Sequence, residues 1–541
     1  MIKNKKILLI CKERFSFPMY YLGKELEKNH NSIHYYFIHN TEVIQKNTFS
    51  RNTYFKFKDK IKKENLHDVK DLNFTFLKNR KNIKIDFNCL DEIEKKYTNF
   101  SSLNKQILSS QSTSTPYHQR FFFPQTSYEE NIYWLILNYK NTENILDLIK
   151  PDYIFDLDNA EIQRTIINEV AFYKKIPYIN VNYARYSSFI VPTFSMGLKK
   201  EKYFVEAFNA NLEKKKINEY IQEVKKYREQ ISIKSNLYSK ELKGGNLTYS
   251  YSFNFKDLIK NIISKTNALV ISQVYYYKNN DKPVKIDTPL YTNPIKKIKF
   301  NYLRALRKFY LHSKFNKHFK KPEKEKYIYF PLHLIPESST FANAPMYINE
   351  LNSIEAVSKS LPISWKLYVK EHQSMIGERN LEFYKKVNKF HNVKVVQNNF
   401  YKDPKPWIEN SLGVITITGS SAFEAAMLNK PAIVLGNVPF NVLENVKVAS
   451  GLQELEGLLK DIKSGNWTTD EISSCAAYLK TINEVGVKLN LLLLMSLAEK
   501  KFKSQSLNEE DKETLNELLN ILNNFYEKGI KLYNNDFKCV E

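Results

Sequence analysis

The sequence of 541 residues has few cysteines, and their positions argue against two common kinds of stabilised fold. The thiols stand far apart, with no Cys-x-x-Cys pair and no Cys/His spacing of the kind that holds zinc. Neither a disulfide framework nor a zinc site is indicated, so we expect reduced thiols and no bound metal. The four residues are Cys11, Cys89, Cys475 and Cys539.

Long apolar runs are also missing. No stretch of about 18 apolar residues is present, which argues against a transmembrane helix. The N-terminus, MIKNKKILLICKERF, passes from a short apolar stretch directly into Lys12, Glu13 and Arg14, so it predicts a buried strand and not a signal peptide. We therefore expect a cytoplasmic protein. With 43% hydrophobic residues the chain can bury a large core, and its length favours two or more domains.

Positive charge dominates, with a formal net charge of +24. This excess predicts an anionic partner: nucleic acid, a membrane surface, or a phosphorylated or acidic saccharide. Part of it reflects the lysine that accompanies an AT-rich coding bias. The segment 296–321 has no acidic residue and interleaves Lys and Arg with aromatic and leucine side chains. This pattern is typical of a helix on an anionic membrane face. No recognised nucleic-acid module accompanies it, so we do not expect nucleic acid as a partner.

Strand and helix patterns alternate in two parts of the chain. KILLIC, PMYYLGKELEKN and SIHYYFIH begin a βαβ order. It resumes after an irregular, aromatic and polar region with ENILDLIK, PDYIFDLDN, EIQRTIINEVAFYKK and IPYINVNY. The alternation returns from YIYFPLH onward. We predict two Rossmann-like α/β domains whose strand ends face a shared cleft. The predicted division is an N-terminal α/β domain over 1–200, a mainly helical basic insertion over 201–325, a C-terminal α/β domain over 326–480, and helices that pack back over 481–541.

A glycine and two serines join a strand to a helix in ITITGSSAFEAAM. Gly419, Ser420 and Ser421 form the turn, and helix-start amides beside two hydroxyls are suited to a phosphate. Glu424, one turn further on, can accept hydrogen bonds from ribose hydroxyls. The same residues also fit a plain N-cap, with Ser420 as the cap and Glu424 near the capping-box position. This stretch alone leaves both interpretations open.

Two further loops of the same half carry polar side chains just after a strand. WKLYVKEH ends in Lys370, Glu371 and His372, and the imidazole can donate to a phosphate or to a leaving-group oxygen. FPLHLIPESST places His333 and Glu337 after the first strand of this half. A lone histidine in such a loop is more often a surface residue. Three successive loops with polar donors nevertheless predict a ligand site at one edge of the sheet.

The segments YFPLHLIPESST, WKLYVKEH and ITGSSAFEAAMLNKPAIVLGN resemble, in order and approximate spacing, the bacterial capsule polysaccharide biosynthesis glycosyltransferases, which transfer acidic sugars such as Kdo from CMP-activated donors. The resemblance covers residues 327–440 well and the N-terminal half only loosely. It implies a GT-B architecture in which the C-terminal domain holds the nucleotide. His372 matches the histidine of a His-Pro motif, and Ser420 with Ser421 matches a paired-hydroxyl motif; in related GT-B sialyltransferases both contact the CMP phosphate. Gln373 stands where proline is usual.

The same segment is also similar to the teichoic-acid glycerophosphotransferases, which use CDP-glycerol. Their ITDYSS-like loop has an aspartate-tyrosine pair where this chain has glycine, a difference that favours sugar transfer. A nucleotide-sugar epimerase shares the two-domain architecture as well. The non-enzymatic alternative is a basic scaffold or nucleic-acid binder that retains the two-domain core.

Sugar transfer needs a carboxylate that takes the acceptor proton or stabilises the cationic sugar, whereas histidine, serine and amide donors can neutralise the leaving phosphate without a metal. The GT-B resemblance implies that this carboxylate comes from the N-terminal domain. Among the strand-end candidates Glu13, Asp156, Asp158 and Glu161, we predict Asp158 first and Glu161 second, because the DLDN turn follows a strand and leads into a helix. Asp158 also fits a plain turn position.

The sequence thus predicts a metal-independent glycosyltransferase whose nucleotide-sugar donor is a substrate, with no separate cofactor. The acceptor would be a capsular or other surface glycan or glycolipid. We expect the protein in the cytoplasm, with attachment to the inner face of the cytoplasmic membrane through segment 296–321.

Overall fold

Two parallel β-sheets flanked by helices form the protein, which confirms the predicted pair of Rossmann-like α/β domains. The computed structural model describes residues 2–38, 57–99, 101–110, 113, 126–196, 201–213, 217–229, 294–335, 337–397, 400–401, 404–467 and 472–537, with short helical pieces between 255 and 267. In chain order the strands are β1 (Lys6–Cys11), β2 (Ser32–Phe37), β3 (Leu66–Asp68), β4 (Tyr153–Phe155), β5 (Tyr178–Tyr183), β6 (Phe189–Thr193), β7 (Tyr327–Pro331), β8 (Lys366–Lys370), β9 (Val393–Val396), β10 (Gly413–Thr416), β11 (Ala432–Val434), β12 (Val446–Val448) and β13 (Val487–Lys488).

The N-terminal sheet has the order β13-β6-β5-β4-β1-β2-β3. Strands β1 to β5 pair in parallel, and β6 and β13 join antiparallel at one edge. Strand β1 is buried on both faces, since Ile7 and Leu9 belong to one hydrophobic cluster while Leu8 and Ile10 belong to another. A strand covered on both faces reads as a continuous apolar run, which is why KILLIC was recognisable from sequence.

Among the described residues, three helices and the first part of a fourth, Tyr128–Ile149, lie where the sequence predicted an irregular region after β2, so that prediction is wrong there. One of them, Tyr128–Ile149, buries Trp134 and Tyr139 but also the polar Asn131 and Asn138, which interrupt its apolar stripe and obscure the helical pattern. The helices around this sheet are Ser16–Glu27, Lys70–Asn79, Phe87–Tyr97, Leu103–Leu108, Tyr128–Ile149 and Ile162–Tyr173.

The C-terminal sheet is parallel throughout and has the order β12-β11-β10-β7-β8-β9. If the strands of this sheet are numbered 1 to 6 in chain order, their order across the sheet is 3-2-1-4-5-6, which is the doubly wound order. The chain proceeds towards one edge from β7 and towards the other edge from β10, so the topological switch point lies between these two strands. In the N-terminal sheet the corresponding switch point lies between β1 and β4. The helices of this half are Ser338–Asn343, Glu350–Ser360, Leu381–Val387, Lys405–Glu409, Ser421–Met427 and Leu455–Ser464.

The basic segment packs on the C-terminal half along part of its length. Helix Pro294–Ser313 directs Arg304 to the carboxylate of Glu378, and its Lys308 approaches Gly377 so closely that a Cβ there would lie 2.7 Å from the Lys308 Cα. Leu311 is fully buried. One face of this helix is therefore an internal contact, and its expected attachment to a membrane stays a prediction. Helices Lys202–Glu213, 218–229 and Phe315–His318 complete the described part of the middle region.

The C-terminal residues return to the N-terminal half. Helix Ser473–Val485 crosses the predicted division at 480, so that division does not coincide with the end of an element. Its Tyr478 hydroxyl donates to the carbonyl of Ala184 at 3.0 Å. Helices Leu491–Phe502 and Glu509–Phe537 follow β13, and the Tyr526 hydroxyl of the second donates to the carbonyl of Asp156 at 2.7 Å. No helix in the described part of the chain has both the length and the apolar character needed to span a bilayer.

Candidate functional site

The switch point of the C-terminal sheet is occupied by the turn that follows β10. The Gly419 amide donates to the Thr416 hydroxyl at 3.1 Å, and the Thr418 amide donates to Nε2 of His333, in the loop after β7, also at 3.1 Å. A Cβ on Gly419 would lie 2.6 Å from the Thr416 hydroxyl and 3.5 Å from His333 Nε2, so only glycine allows this close approach. The predicted residues His333 and Gly419 therefore lie next to each other, where the loop after β7 and the loop after β10 separate.

Ser420, Ser421 and Glu424 continue this turn into helix Ser421–Met427. Ser420 is partly buried and its hydroxyl donates to Glu424 Oε1 at 3.3 Å, while it makes no side-chain capping bond. Ser420 therefore occupies the N-cap position that the alternative interpretation gave it, but its side chain does not form the capping bond. Ser421 is buried, and its hydroxyl has no hydrogen-bond partner among the described residues. An unsatisfied buried hydroxyl beside a glycine turn is the kind of group that a ligand oxygen can satisfy.

Lys370 supplies positive charge at the same edge. It is the last residue of β8, the strand next to β7, and burial lowers the pKa of its ammonium group to about 8 although the carboxylates of Glu424 and Glu371 oppose that shift. Helix Ser421–Met427 has only 7 residues, so its dipole is a weaker source of positive potential than the sequence reading assumed. The Lys370 ammonium group and the serine hydroxyls together make this edge suitable for a phosphate.

Behind the turn, one buried arginine ties two loops together. Arg379 donates from Nε to Glu371 Oε2 at 2.8 Å, and its Nη1 lies 2.7 Å from Glu350 Oε2. The Tyr384 hydroxyl donates to Glu371 Oε2 at 2.6 Å. Burial alone would raise the pKa of Glu350, but Arg379 and His333 hold this pKa below its usual value. At Glu371 the effect of burial is larger than that of Arg379, so the pKa is raised. Both carboxylates are therefore paired with Arg379 and have a structural role, and we assign them no contact with a ligand.

His372 follows β8, as expected, and its predicted contact with a phosphate stays a prediction. Its Nδ1 accepts from the Ser374 amide at 3.2 Å and caps the short turn Gln373–Met375, so the neutral ring carries its proton on Nε2. Strand β8, which precedes it, is separated from β10 by β7. His372 thus shares the sheet edge, but the histidine that bonds to the Gly419 turn is His333.

Glu337 lies just before helix Ser338–Asn343. It is partly buried, its side chain makes no capping bond, and its carbonyl accepts from the Phe341 amide at 3.1 Å. Its predicted contact with a nucleotide stays a prediction.

The switch point of the N-terminal sheet carries the predicted carboxylates. Asp156 is fully buried and holds Arg164 Nε at 2.7 Å and the Tyr178 hydroxyl at 2.6 Å, which makes it a structural residue. Asp158 accepts from Arg164 Nη1 at 3.1 Å and keeps 26% of its side chain exposed. Burial raises the pKa of Asp158, and Arg164 and Lys12 only partly oppose it. An accessible carboxylate with a raised pKa is suited to accepting a proton.

Glu161 closes the same switch point. Lys12, in the loop after β1, lies 2.5 Å from Glu161 Oε1, and Arg164 lies 3.5 Å from Oε2. The side chain of Glu161 is only 7% exposed. Its backbone has φ 130° and ψ 154°, a region that is essentially reserved for glycine. Strain of this kind persists where the surrounding structure demands it, and it often marks a functional position.

The carboxyl edges of the two sheets lie towards each other. The ring of Tyr186, which follows β5, contacts the ring of Tyr227 at a tilt of 54°, and Tyr227 contacts Phe423 edge-on in the helix after the glycine turn. The ends of β5 and the loop 438–442 after β11 enclose a cavity of about 20 Å³, which is room for a single water. The described residues contain no group of three or more His, Cys, Asp or Glu side chains that can hold a metal.

No protein-family model matches this sequence, and no curated protein matches it significantly. Solved structures do. UDP-GlcNAc 2-epimerase from Neisseria meningitidis, bound to UDP-GlcNAc, is 13% identical over 89% of this chain and 99% of its own, with a TM-score of 0.23. The β-Kdo 2,7-transferase KpsC of Thermosulfurimonas dismutans is 12% identical over 59% of this chain and 80% of its own, with a TM-score of 0.29. The wall teichoic acid polymerase TagF is 16% identical over 36% and 47%, with a TM-score of 0.21.

Similarity at this level carries no argument about activity. The GT-B-like arrangement of two Rossmann-like sheets instead rests on the strand order of this chain and on the contacts between the two carboxyl edges.

Sequence reasoning missed several residues of the two switch points. Lys370 had a signal, as a charged residue that ends a buried strand. Arg379 and Glu350 had none, because they are 29 residues apart and lie on different elements. Arg164 is close in sequence to Asp156, Asp158 and Glu161, but only the packing of its helix buries it among them. Lys12 follows the first strand and is the cation that pairs with Glu161.

Proposed function

We propose that this protein is a glycosyltransferase of GT-B type, which transfers a sugar from a nucleotide-activated donor to a glycan acceptor. The observation that carries the proposal is the cluster at the second switch point: a partly buried lysine, a glycine turn, and a serine hydroxyl without a partner among the described residues. These are the groups expected around the phosphate of a nucleotide in an open α/β sheet.

In this proposal each residue has a defined task. Lys370 neutralises the donor phosphate, Ser420 and Ser421 donate hydrogen bonds to its oxygens, and Glu424 accepts from ribose hydroxyls. His372 donates from Nε2 to the same phosphate or to the leaving oxygen. Placing these donors before the reaction stabilises the charge that develops on the leaving group.

The reaction breaks the bond between the anomeric carbon and the donor phosphate oxygen, and forms a bond from that carbon to an acceptor hydroxyl oxygen. The electron pair of the broken bond stays on the departing nucleotide, next to Lys370. The acceptor proton passes to a carboxylate of the N-terminal half, which we assign to Asp158, with Glu161 second. General-base catalysis by a positioned carboxylate contributes about 10²–10⁴-fold to such a reaction.

The finer parts of the proposal rest on the sequence resemblance. The paired serines at 420 and 421 support a CMP-linked donor, and the order of the three loop segments supports an acceptor in a capsular or other surface polysaccharide. No metal is needed in this scheme because Lys370 and the serine hydroxyls neutralise the phosphate.

A nucleotide panel tests the donor. The apparent Tm would be measured with CMP, CDP and UDP for the protein and for Ser420→Ala, with Ser464→Ala as a matched control because its hydroxyl bonds only to a local carbonyl of an exposed helix end. We expect CMP to raise Tm in the protein and in the control, and not in Ser420→Ala. Nucleotide release from activated sugars then identifies the donor. Release from CDP-glycerol alone would favour glycerophosphate transfer, and no shift with any nucleotide would favour a scaffold.

We also propose that the outer face of helix Pro294–Ser313 attaches the protein to an anionic membrane. Leu303 and Leu306 are 50% and 52% exposed and lie among basic residues. Binding to vesicles of phosphatidylglycerol should fall when both leucines are changed to Gln, and should be absent on phosphatidylcholine. Leu148→Gln, at a leucine of the N-terminal half that is 75% exposed, is the control. Equal binding to both lipids would contradict the proposal.

A further inference from the structure

His333 is held at several points, all of them inside the protein. Its Nε2 accepts from the Thr418 amide at 3.1 Å and lies 3.4 Å from the Thr416 hydroxyl. Its Nδ1 lies 3.4 Å from Glu350 Oε1, and its backbone amide donates to that same oxygen at 2.6 Å. The residue is 8% exposed. The sequence reading made this histidine a donor to the nucleotide, and these contacts give it another role.

The hydrogen bonds define the protonation state of the ring. A nitrogen that accepts from an amide cannot carry a proton, so Nε2 is unprotonated and a neutral His333 has its proton on Nδ1. A charged ring would direct an N–H at the Thr418 N–H, which is repulsive. The Thr416 hydroxyl fits the same assignment, because it can donate to Nε2 while accepting from the Gly419 amide at 3.1 Å.

The carboxylate that faces Nδ1 is itself fixed. Glu350 begins helix Glu350–Ser360, is 2% exposed, and has Arg379 Nη1 2.7 Å from its other oxygen. Arg379 Nη2 also donates to the carbonyl of His333 at 3.2 Å. The ring, its backbone and its carboxylate partner are therefore joined to one buried guanidinium, which leaves the imidazole little freedom to rotate.

We propose that His333 is a positioning residue: Glu350 and Arg379 hold it as the Nδ1–H tautomer, and its Nε2 fixes the Thr418 amide so that the Gly419–Ser421 turn is preformed for an anion. His333 thus acts through the turn and does not touch the ligand. The role assigned to the turn rests on the proposed function, whereas the tautomer does not.

The tautomer is tested first, without any ligand. In protein labelled with ¹⁵N-histidine, the signals of His333 are assigned from the spectrum of His333→Gln. We expect one ring with an unprotonated Nε2 and a protonated Nδ1. In Glu350→Gln the same ring should shift at least partly to the Nε2–H form, whereas Glu355→Gln, on the exposed side of the same helix, should leave it unchanged. A ring that is charged or protonated on Nε2 in the unchanged protein overturns the proposal.

The link to the turn is tested next, with CMP as the probe. Glu350→Gln should weaken CMP binding by about tenfold, the effect of losing roughly one hydrogen bond from a preformed site. Arg379→Lys keeps the positive charge but loses the several N–H donors of the guanidinium group, and it should also weaken CMP binding. If the protein binds CMP and both variants bind it as tightly as Glu355→Gln does, the positioning role is wrong. If the protein binds no nucleotide but shows the expected tautomer, the proposed function fails and the histidine assignment stands.

Discussion

The two switch points have the same topology and opposite chemistry. Between β1 and β4 three carboxylates, Asp156, Asp158 and Glu161, gather around Arg164 and Lys12. Between β7 and β10 the surface of the site is a glycine turn with two serines, next to Lys370 at the end of β8.

The difference shows how one architecture can serve two halves of a reaction. Carboxylates with one accessible member, Asp158, suit a hydroxyl that must lose a proton, whereas a lysine with hydroxyl donors suits a phosphate that gains charge. In each half the fully buried charges form a structural cluster of ion pairs, which we call the frame: Asp156 with Arg164 in the N-terminal half, and Glu350 and Glu371 with Arg379 in the C-terminal half. The partly exposed group beside each frame, Asp158 or Lys370, is the candidate for chemistry.

The largest expected effect comes from removing the frame. Arg164→Met leaves Asp156 buried without its cation and should lower the unfolding free energy of the N-terminal half by about 3–5 kcal/mol. Arg379→Met should do the same in the C-terminal half, since Glu350 and Glu371 depend on it. Urea unfolding followed by probes in each half measures both. Lys359→Met, in an exposed ion pair, should change little. A small effect in only one half would mean that the two frames are not equivalent.

Activity separates the carboxylates within the N-terminal frame. Asp158→Asn should lower kcat by about 10²–10⁴-fold with nucleotide binding intact, because it removes the proton acceptor but not the anion site. The measurement is sugar transfer from the donor found in the panel. Asp152→Asn, at a half-exposed ion pair near the start of β4, is the control. Transfer above a tenth of the normal rate in Asp158→Asn would leave Glu161 as the better candidate.

Lys370 tests the charge of the other switch point. Lys370→Met should weaken CMP binding by about 10–100-fold, the range expected for a lost hydrogen bond to a charged group. Calorimetric titration measures it. Lys366→Met changes the opposite end of the same strand and should bind normally. Normal binding by Lys370→Met would show that the phosphate lies elsewhere.

The pKa of Lys370, lowered to about 8 by burial, predicts opposite trends for binding and folding. As pH rises from 7 to 9 the ammonium loses its proton, so CMP affinity should fall by up to about tenfold. Between the folded pKa near 8 and the ordinary value near 10.5 the unfolded chain binds more protons, so this group's contribution to stability rises with pH. Lys370→Arg should bind CMP with affinity that does not change over this range, because arginine stays charged. If CMP affinity fell with pH in Lys370→Arg as steeply as in the unchanged protein, the pH dependence would belong to another group.

The smallest effect is expected at Glu424. Glu424→Gln should weaken CMP binding by about threefold, as for one neutral hydrogen bond, with little change in Tm. Binding by calorimetry and Tm by thermal unfolding should be measured together. A loss of Tm as large as that of the arginine variants would make Glu424 part of the frame and not of the site.

Much of the fold followed from sequence because its strands are buried on both faces. KILLIC, WKLYVKEH and the VITIT run were recognised as strands, and each polar residue directly after them fell on the expected edge. The helices that the structure describes between β2 and residue 142 were not recognised, since buried polar residues such as Asn138 break their periodicity. The short strand β13 was also missed: its two residues pair with β6 and carry no pattern of their own.

At the site the sequence determined which residue types follow which strand, because the chain order of strand, turn and helix is local. Only the tertiary structure decided their roles. It joined His333 to the Gly419 turn, 85 residues away, and committed Glu350 and Glu371 to Arg379. The physical reason is that a charge or an imidazole can be buried only with partners that compensate for its lost hydration, and these partners determine its role. The order of strands in the sheet, and not proximity in the chain, brings the partners together.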